Sequence, residues 1–165
     1  MAALAPQLLG IDPIGIEDTH WPGRLEHVSP NPDMILDGAH NPAGARAVVR
    51  YLERFYPDRR IWLIYGAMRD KAIDEVAGIL FPVAGELIFV GIASDRAVRP
   101  EALTELAGKG TAVANIAAAF ELLHQRAMEE DLSEDVILIT GSLFLVGETR
   151  AFLANSRAIS GGWSA

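Results

Sequence analysis

The chain has 165 residues, half of them hydrophobic, 22% charged and 7% aromatic, with no cysteine and a formal net charge of −8. That is the make-up of about one globular domain able to bury its own core, which excludes a disordered or fibrous chain, disulfides and thiolate metal sites. With Lys71 and Lys109 its only lysines, it lacks the basic stripe of a nucleic-acid binder. Its apolar runs fall far short of the roughly 20 residues of a bilayer span, and no basic region marks a secretory signal.

In chain order, residues 1–20 carry two prolines and no completed amphipathic helix. They are expected to be a linker, the tail of a preceding domain. Residues 25–28 form a weak strand candidate. Met34-Ile35-Leu36 is a short, wholly apolar run, the pattern of a strand buried on both faces in a parallel sheet. Asn41-Pro42 then supplies a cap followed by proline at the first helical position. Ala45, Val48, Val49, Leu52 and Phe55 fall on one helical face. The alternation repeats. A strand over residues 61–65 precedes a helical stripe at Ile73, Val76, Ala77, Leu80 and Phe81. A strand over 87–90 precedes a short helix after Pro100 carrying Leu103 and Leu106. A weak strand over 112–114 precedes a stripe at Ile116, Ala119, Phe120, Leu123 and Ala127. A strand over 136–139 precedes a weaker stripe at Leu143, Val146, Arg150 and Leu153. Asp70, Asn115 and Ser142 are the expected caps. Residues 155–165 read as a loose tail.

Strand, turn and helix repeated in this way predict an α/β domain over residues 21–154. Its expected architecture is a Rossmann-like three-layer sandwich around a mostly parallel sheet of about six strands. Ligands in such sheets bind beyond the carboxyl ends of the strands. Four strand-to-helix turns therefore carry the candidate chemistry.

Asp37-Gly38-Ala39-His40-Asn41-Pro42 is the densest. An acid at a strand end can accept hydrogen bonds from a ribose diol, and a histidine near a helix N-terminus sits where an anion is favoured. A turn-capping Asp37 and a singly bonded His40 satisfy the same pattern. Thr140-Gly141-Ser142 offers close approach and a hydroxyl beside free helix amides, or simply a serine cap. The Asp70-Lys71 turn adds a cation at the sheet edge. Gly91-Ile92-Ala93-Ser94-Asp95-Arg96 is the fourth. Trp21-Pro22-Gly23-Arg24 places a guanidinium at the mouth of the domain, suited to a phosphate or a base. The P-loop, the Gly-x-Gly-x-x-Gly loop and the Gly-x-Ser-x-Gly elbow are all absent from the sequence. His20, His27, His40 and His124 lack metal-ligand spacing. Asp12, Asp18 and Asp33 lie in linker-like sequence and are expected to be solvated. On these residues alone, a non-catalytic nucleotide-binding or regulatory module of the same shape remains the alternative.

The order Trp-Pro-Gly-Arg at 21–24, Asp-Gly-Ala-His-Asn-Pro at 37–42, Gly66 to Asp70-Lys71, and Thr-Gly-Ser at 140–142 resembles a known family. It is that of the C-terminal domain of folylpolyglutamate synthase and dihydrofolate synthase, in the Mur ligase superfamily. The resemblance covers about residues 14–154. It implies an ATP-dependent ligase that phosphorylates the carboxyl group of folate or dihydropteroate and joins it to the amine of L-glutamate. It further implies that Arg24, Asp37 and Lys71 contact ATP, and that His40 and Ser142 position glutamate. The P-loop, the magnesium ligands and the folate pocket would lie in an N-terminal ATPase domain that these residues do not contain. The chain would then be half of an enzyme, cytoplasmic and inactive alone, from a truncated or split chain. Asp37, His40 and Ser142 are expected to project into a common cleft.

Overall fold

The structure, a computed structural model, describes residues 23–69 and 72–160, with side chains through Ser156. Strand β1 (Glu26–Pro30) and strand β2 (Asp33–Leu36) form an antiparallel hairpin whose turn contains a cis Asn31–Pro32 bond. Helix α1 (Pro42–Phe55) follows. Asn41 caps it by accepting the Gly44 amide at 2.9 Å, and Pro42 fills the position whose N–H has no helical partner. Next come β3 (Ile61–Tyr65), α2 (Ile73–Leu80) and a single 3₁₀ turn at Phe81–Val83. Then β4 (Glu86–Val90) leads to α3 (Pro100–Ala107), which stops at Gly108 in the left-handed region, φ 66°. Strand β5 (Thr111–Val113), helix α4 (Ile116–Glu129), β6 (Val136–Thr140) and α5 (Leu143–Ser160) complete the chain.

The sheet order is β1-β2-β6-β3-β4-β5, and every pairing except β1–β2 is parallel. Side chains alternate across it with the two-residue period of a strand. Ile35, Leu63, Tyr65, Phe89 and Leu138 face one layer, with Val48 and Leu52 of α1, Leu80 of α2 and Leu103 of α3. Leu36, Ile64, Ile88, Ile137 and Ile139 face the other, with Ala119 and Leu123 of α4 and Leu145 of α5. The change of face follows from topology. The chain steps outward from β2 through β3 and β4 to β5, then returns to insert β6 between β2 and β3. Parallel crossovers keep one hand, so reversing the direction of travel moves the connecting helix to the opposite face.

The three-layer fold and the strands at 34–36, 61–65, 87–90 and 136–139 stand as expected. Both weak candidates are real edge strands. Three details differ. Helix α2 begins after Ala72 without a side-chain cap; Asp70, expected to cap it, lies outside the described residues, as do residues 1–20. Helix α5 runs to Ser160 rather than ending near residue 154, because no glycine or proline interrupts the sequence between Gly147 and Gly161. Asp33 is not a solvated linker residue. It opens β2 and accepts hydrogen bonds from the Tyr56 hydroxyl and, at 2.8 Å, from His27 Nδ1.

At the amino-terminal edge, Asp135 accepts Arg60 Nε at 2.9 Å, Arg60 Nη2 at 2.6 Å and Trp62 Nε1 at 2.8 Å, while the guanidinium lies over the Trp62 ring. This clamps β3 to the start of β6. Among the described residues no helix is long and apolar enough to cross a membrane. Leu138 is fully buried at the centre of the sheet. Leu138→Ala is expected to lower unfolding free energy by about 2–5 kcal/mol in urea titration, and a loss below the cost of a surface substitution would contradict this packing.

Candidate active site

The insertion of β6 brings two distant turns together. Leu36 pairs with Ile139 and Tyr65 with Thr140, so β2, β6 and β3 end side by side. Main-chain bonds then tie the turns. The Asp37 amide donates to Ile139 O at 3.0 Å, Gly66 N to Thr140 O at 3.3 Å, and Gly141 N to Ala39 O at 3.1 Å. Gly141 has φ 106°, and a Cβ there would lie 2.6 Å from both Gly66 O and the Tyr65 ring. Glycine is required by conformation and by space. Helix α1 leaves this edge on one face and α5 on the other, which opens a crevice between them.

Asp37 is 8% exposed. One carboxylate oxygen accepts the Leu25 amide at 2.9 Å and the other the Ala39 amide at 2.8 Å. Burial raises its pKa above the ordinary 3.8, against the lowering effect of the two amides and of the positive charges of Arg24 and His40. Each oxygen keeps a lone pair for a ligand hydroxyl. Arg24 is exposed, in a turn where Gly23 and Leu25 have φ 73° and 46°. His40 is half-buried, and its Nδ1 lies 2.7 Å from Gly38 O. A carbonyl only accepts, so Nδ1 carries the hydrogen and Nε2 is left for a ligand, as an acceptor in the neutral ring and a donor in the protonated one. Ser142 is 3% exposed, and its Oγ accepts the Phe144 amide at 3.1 Å. The hydroxyl caps α5 and still has its own hydrogen to donate.

His40 and Ser142 line one cleft of about 200 Å³, together with Met68, Arg96, Leu143 and Phe144. Asp37 does not line it. The acid sits at the adjoining strand end, under the Arg24 turn, so the expected sharing of one cleft holds for the imidazole and hydroxyl only. Its carboxyl group is occupied by two backbone amides, and this fixes it below the surface. Lys71 lies outside the described residues. Sequence reading assigned nothing to Arg96, although its turn was among the four weighed. The turn is pinned by Arg69 N donating to Arg96 O at 2.8 Å and by a Met68–Ala97 bridge, contacts with no local sequence signal. Leu143 and Phe144 are 58% and 63% exposed at the cleft mouth. No group of three or more His, Cys, Asp or Glu among the described residues is placed to hold a metal ion.

Such a sheet, with anion-suited turns gathered at its carboxyl edge, defines an α/β ligand-binding domain. Residues 23–143 match the family model described as "Mur ligase, glutamate ligase domain", and the chain belongs to that family. A probable bifunctional folylpolyglutamate synthase/dihydropteroate synthase of Halobacterium salinarum is 36% identical over 156 residues, 90% of this chain and 19% of that protein. Among solved structures, E. coli FolC in complex with DHPP and ADP is similar with a TM-score of 0.79 and 27% identity, over 94% of this chain and 38% of that one. A bifunctional folylpolyglutamate synthase/dihydrofolate synthase with Mn, AMPPNP and L-glutamate bound gives 0.74 and 26%, over 83% and 32%. This chain thus spans 19% to 38% of the length of these proteins.

The raised pKa of Asp37 has a measurable sign. Between 3.8 and its higher folded value, the unfolded chain has released the proton that the folded chain keeps, so stability falls as pH rises through that window. The difference in unfolding free energy between wild type and Asp37→Asn, followed by urea titration across the acid range, is expected to shrink as pH rises. A wild-type advantage that grows with pH contradicts it.

Proposed function

We propose that this domain is the glutamate-binding part of an ATP-dependent ligase that joins L-glutamate to folate or dihydropteroate through an acyl phosphate. The observation that carries the reading is the convergence of His40 and Ser142 on one cleft at the carboxyl edge, in a member of the glutamate ligase domain family. The related structures with ADP, AMPPNP and L-glutamate support the choice of ligands.

The chemistry needs two anions brought together in a chain of net charge −8, so local groups must offset the repulsion. Arg24 presents an exposed guanidinium suited to phosphate oxygens, and Lys71 is assigned to the same ATP. The Asp37 lone pairs suit ribose hydroxyls. In the cleft, the Ser142 hydroxyl and the first amides of α5 suit a carboxylate of the incoming amino acid, and His40 suits it through Nε2–H when its ring is protonated. ATP supplies the phosphoryl group that makes the folate carboxylate a better electrophile. The glutamate amine, held with its carboxylate anchored, then attacks the acyl carbon, and the C–O bond to phosphate breaks as the amide forms. The reading places the magnesium ligands, like the P-loop and folate pocket, on an ATPase half. The setting is the cytoplasm. Each exposed dipole contact contributes only about 0.3–1 kcal/mol, more when water is excluded, so the chain alone is proposed to be inactive.

With an ATPase half present, glutamate and folate or dihydropteroate should together drive ADP release. His40→Ala should raise KM for glutamate by about one to two orders of magnitude, the effect of losing a hydrogen bond to a charged group. Asp37→Ala should raise KM for ATP. Turnover by the 165 residues alone, or an unmoved glutamate KM in His40→Ala, overturns the reading.

A further inference from the structure

The turn that carries Arg24 is held in an unfavourable shape. Leu25 has φ 46°, a conformation that residues with a Cβ avoid unless their surroundings enforce it. Two buried carboxylates enforce it from either side. Asp37 takes the Leu25 amide on one. On the other, a single oxygen of Glu26, Oε2, accepts the Gly23 amide at 2.8 Å and Arg150 Nη1 at 2.9 Å. Glu26 is 7% exposed. Gly23 also lies against α5, since a Cβ on it would approach Val146 Cγ1 to 3.0 Å, and its carbonyl accepts the Gly38 amide at 2.7 Å.

Helix α5 thus meets both halves of the candidate site. Its first turn carries the Ser142 cap and opens on the cleft. Val146 backs Gly23, and Arg150 reaches Glu26 124 residues away in sequence. We infer that Arg150 is a positioning residue: through Glu26 it fixes the Gly23–Leu25 turn, and so the place at which Arg24 meets a nucleotide phosphate. The inference rests on the reading of Arg24 as a phosphate contact. It assigns Arg150 and Glu26 no contact with substrate.

Arg150 meets Glu26 through a single nitrogen, Nη1, among the described residues, so a lysine ammonium can replace it, whereas a methionine of similar length cannot. With the ATPase half present, Arg150→Met should raise KM for ATP by about tenfold, the scale of a lost charge-assisted hydrogen bond. KM for glutamate and kcat should stay within about twofold of wild type, the scatter of such measurements. Arg150→Lys should restore most of the ATP effect. In the 165-residue chain, amide exchange at Gly23 and Leu25 should quicken in Arg150→Met while the β3 and β6 amides stay protected. An ATP KM unmoved by Arg150→Met, a parallel rise for ATP and glutamate, no rescue by lysine, or unchanged exchange in the turn overturns the inference. Arg24→Gln separates the two ideas. If it raises ATP KM and Arg150→Met does not, the positioning role fails alone. If Arg24→Gln leaves ATP KM unmoved, the phosphate reading fails.

Discussion

The seating of β6 between β2 and β3 is the constraint on which the rest depends. It makes neighbours of turns about a hundred residues apart and leaves the helices that follow them on opposite faces of the sheet. A crevice results from topology before any side chain is considered. The main chain then locks it. Ala39 O accepts Gly141 N, and Thr140 O accepts Gly66 N, so three turns form one hydrogen-bonded unit. Glycine at position 141 lets the strands end this close together.

Electrostatics at the edge run against the charge of the whole chain. Two buried carboxylates, Asp37 and Glu26, are spent on the Arg24 turn, and each is offset by backbone amides and a nearby cation. Burying a carboxylate is costly, and the amides that meet it here recover part of that cost. The return is a guanidinium on a turn with little freedom. The imidazole is prepared in a similar way. Gly38 O takes the Nδ1 hydrogen, which leaves Nε2 to act as acceptor when neutral or donor when charged.

The parts of the fold legible in the sequence were those with a local pattern. Residues 61–65 and 136–139 read as strands because both of their faces are buried, so every position is apolar. β1 was faint because an edge strand with one wet face mixes His27 and Ser29 among its apolar positions. The Asn41 and Asn115 caps were readable, since the cap lies within three residues of the amide it serves. Contacts between residues far apart in the chain were not. Nothing near Asp33 signals the Tyr56 hydroxyl, and nothing near Glu26 signals Arg150. His40 and Ser142 were singled out because each sits at a strand-to-helix turn, and both line the cleft. The displacement of Asp37 from their cleft depends on the path of residues 23–25, which no periodicity records.

A frame whose main-chain donors and acceptors are already engaged has little slack. The exposed Leu143 and Phe144 side chains, by contrast, line the cleft mouth and can be exchanged without relaying the backbone beneath them. A change toward a bulkier or more polar lining in such a domain is therefore a matter of upholstery rather than carpentry. The two positions at the mouth absorb the change, and the hydrogen-bonded unit behind them stays as it is.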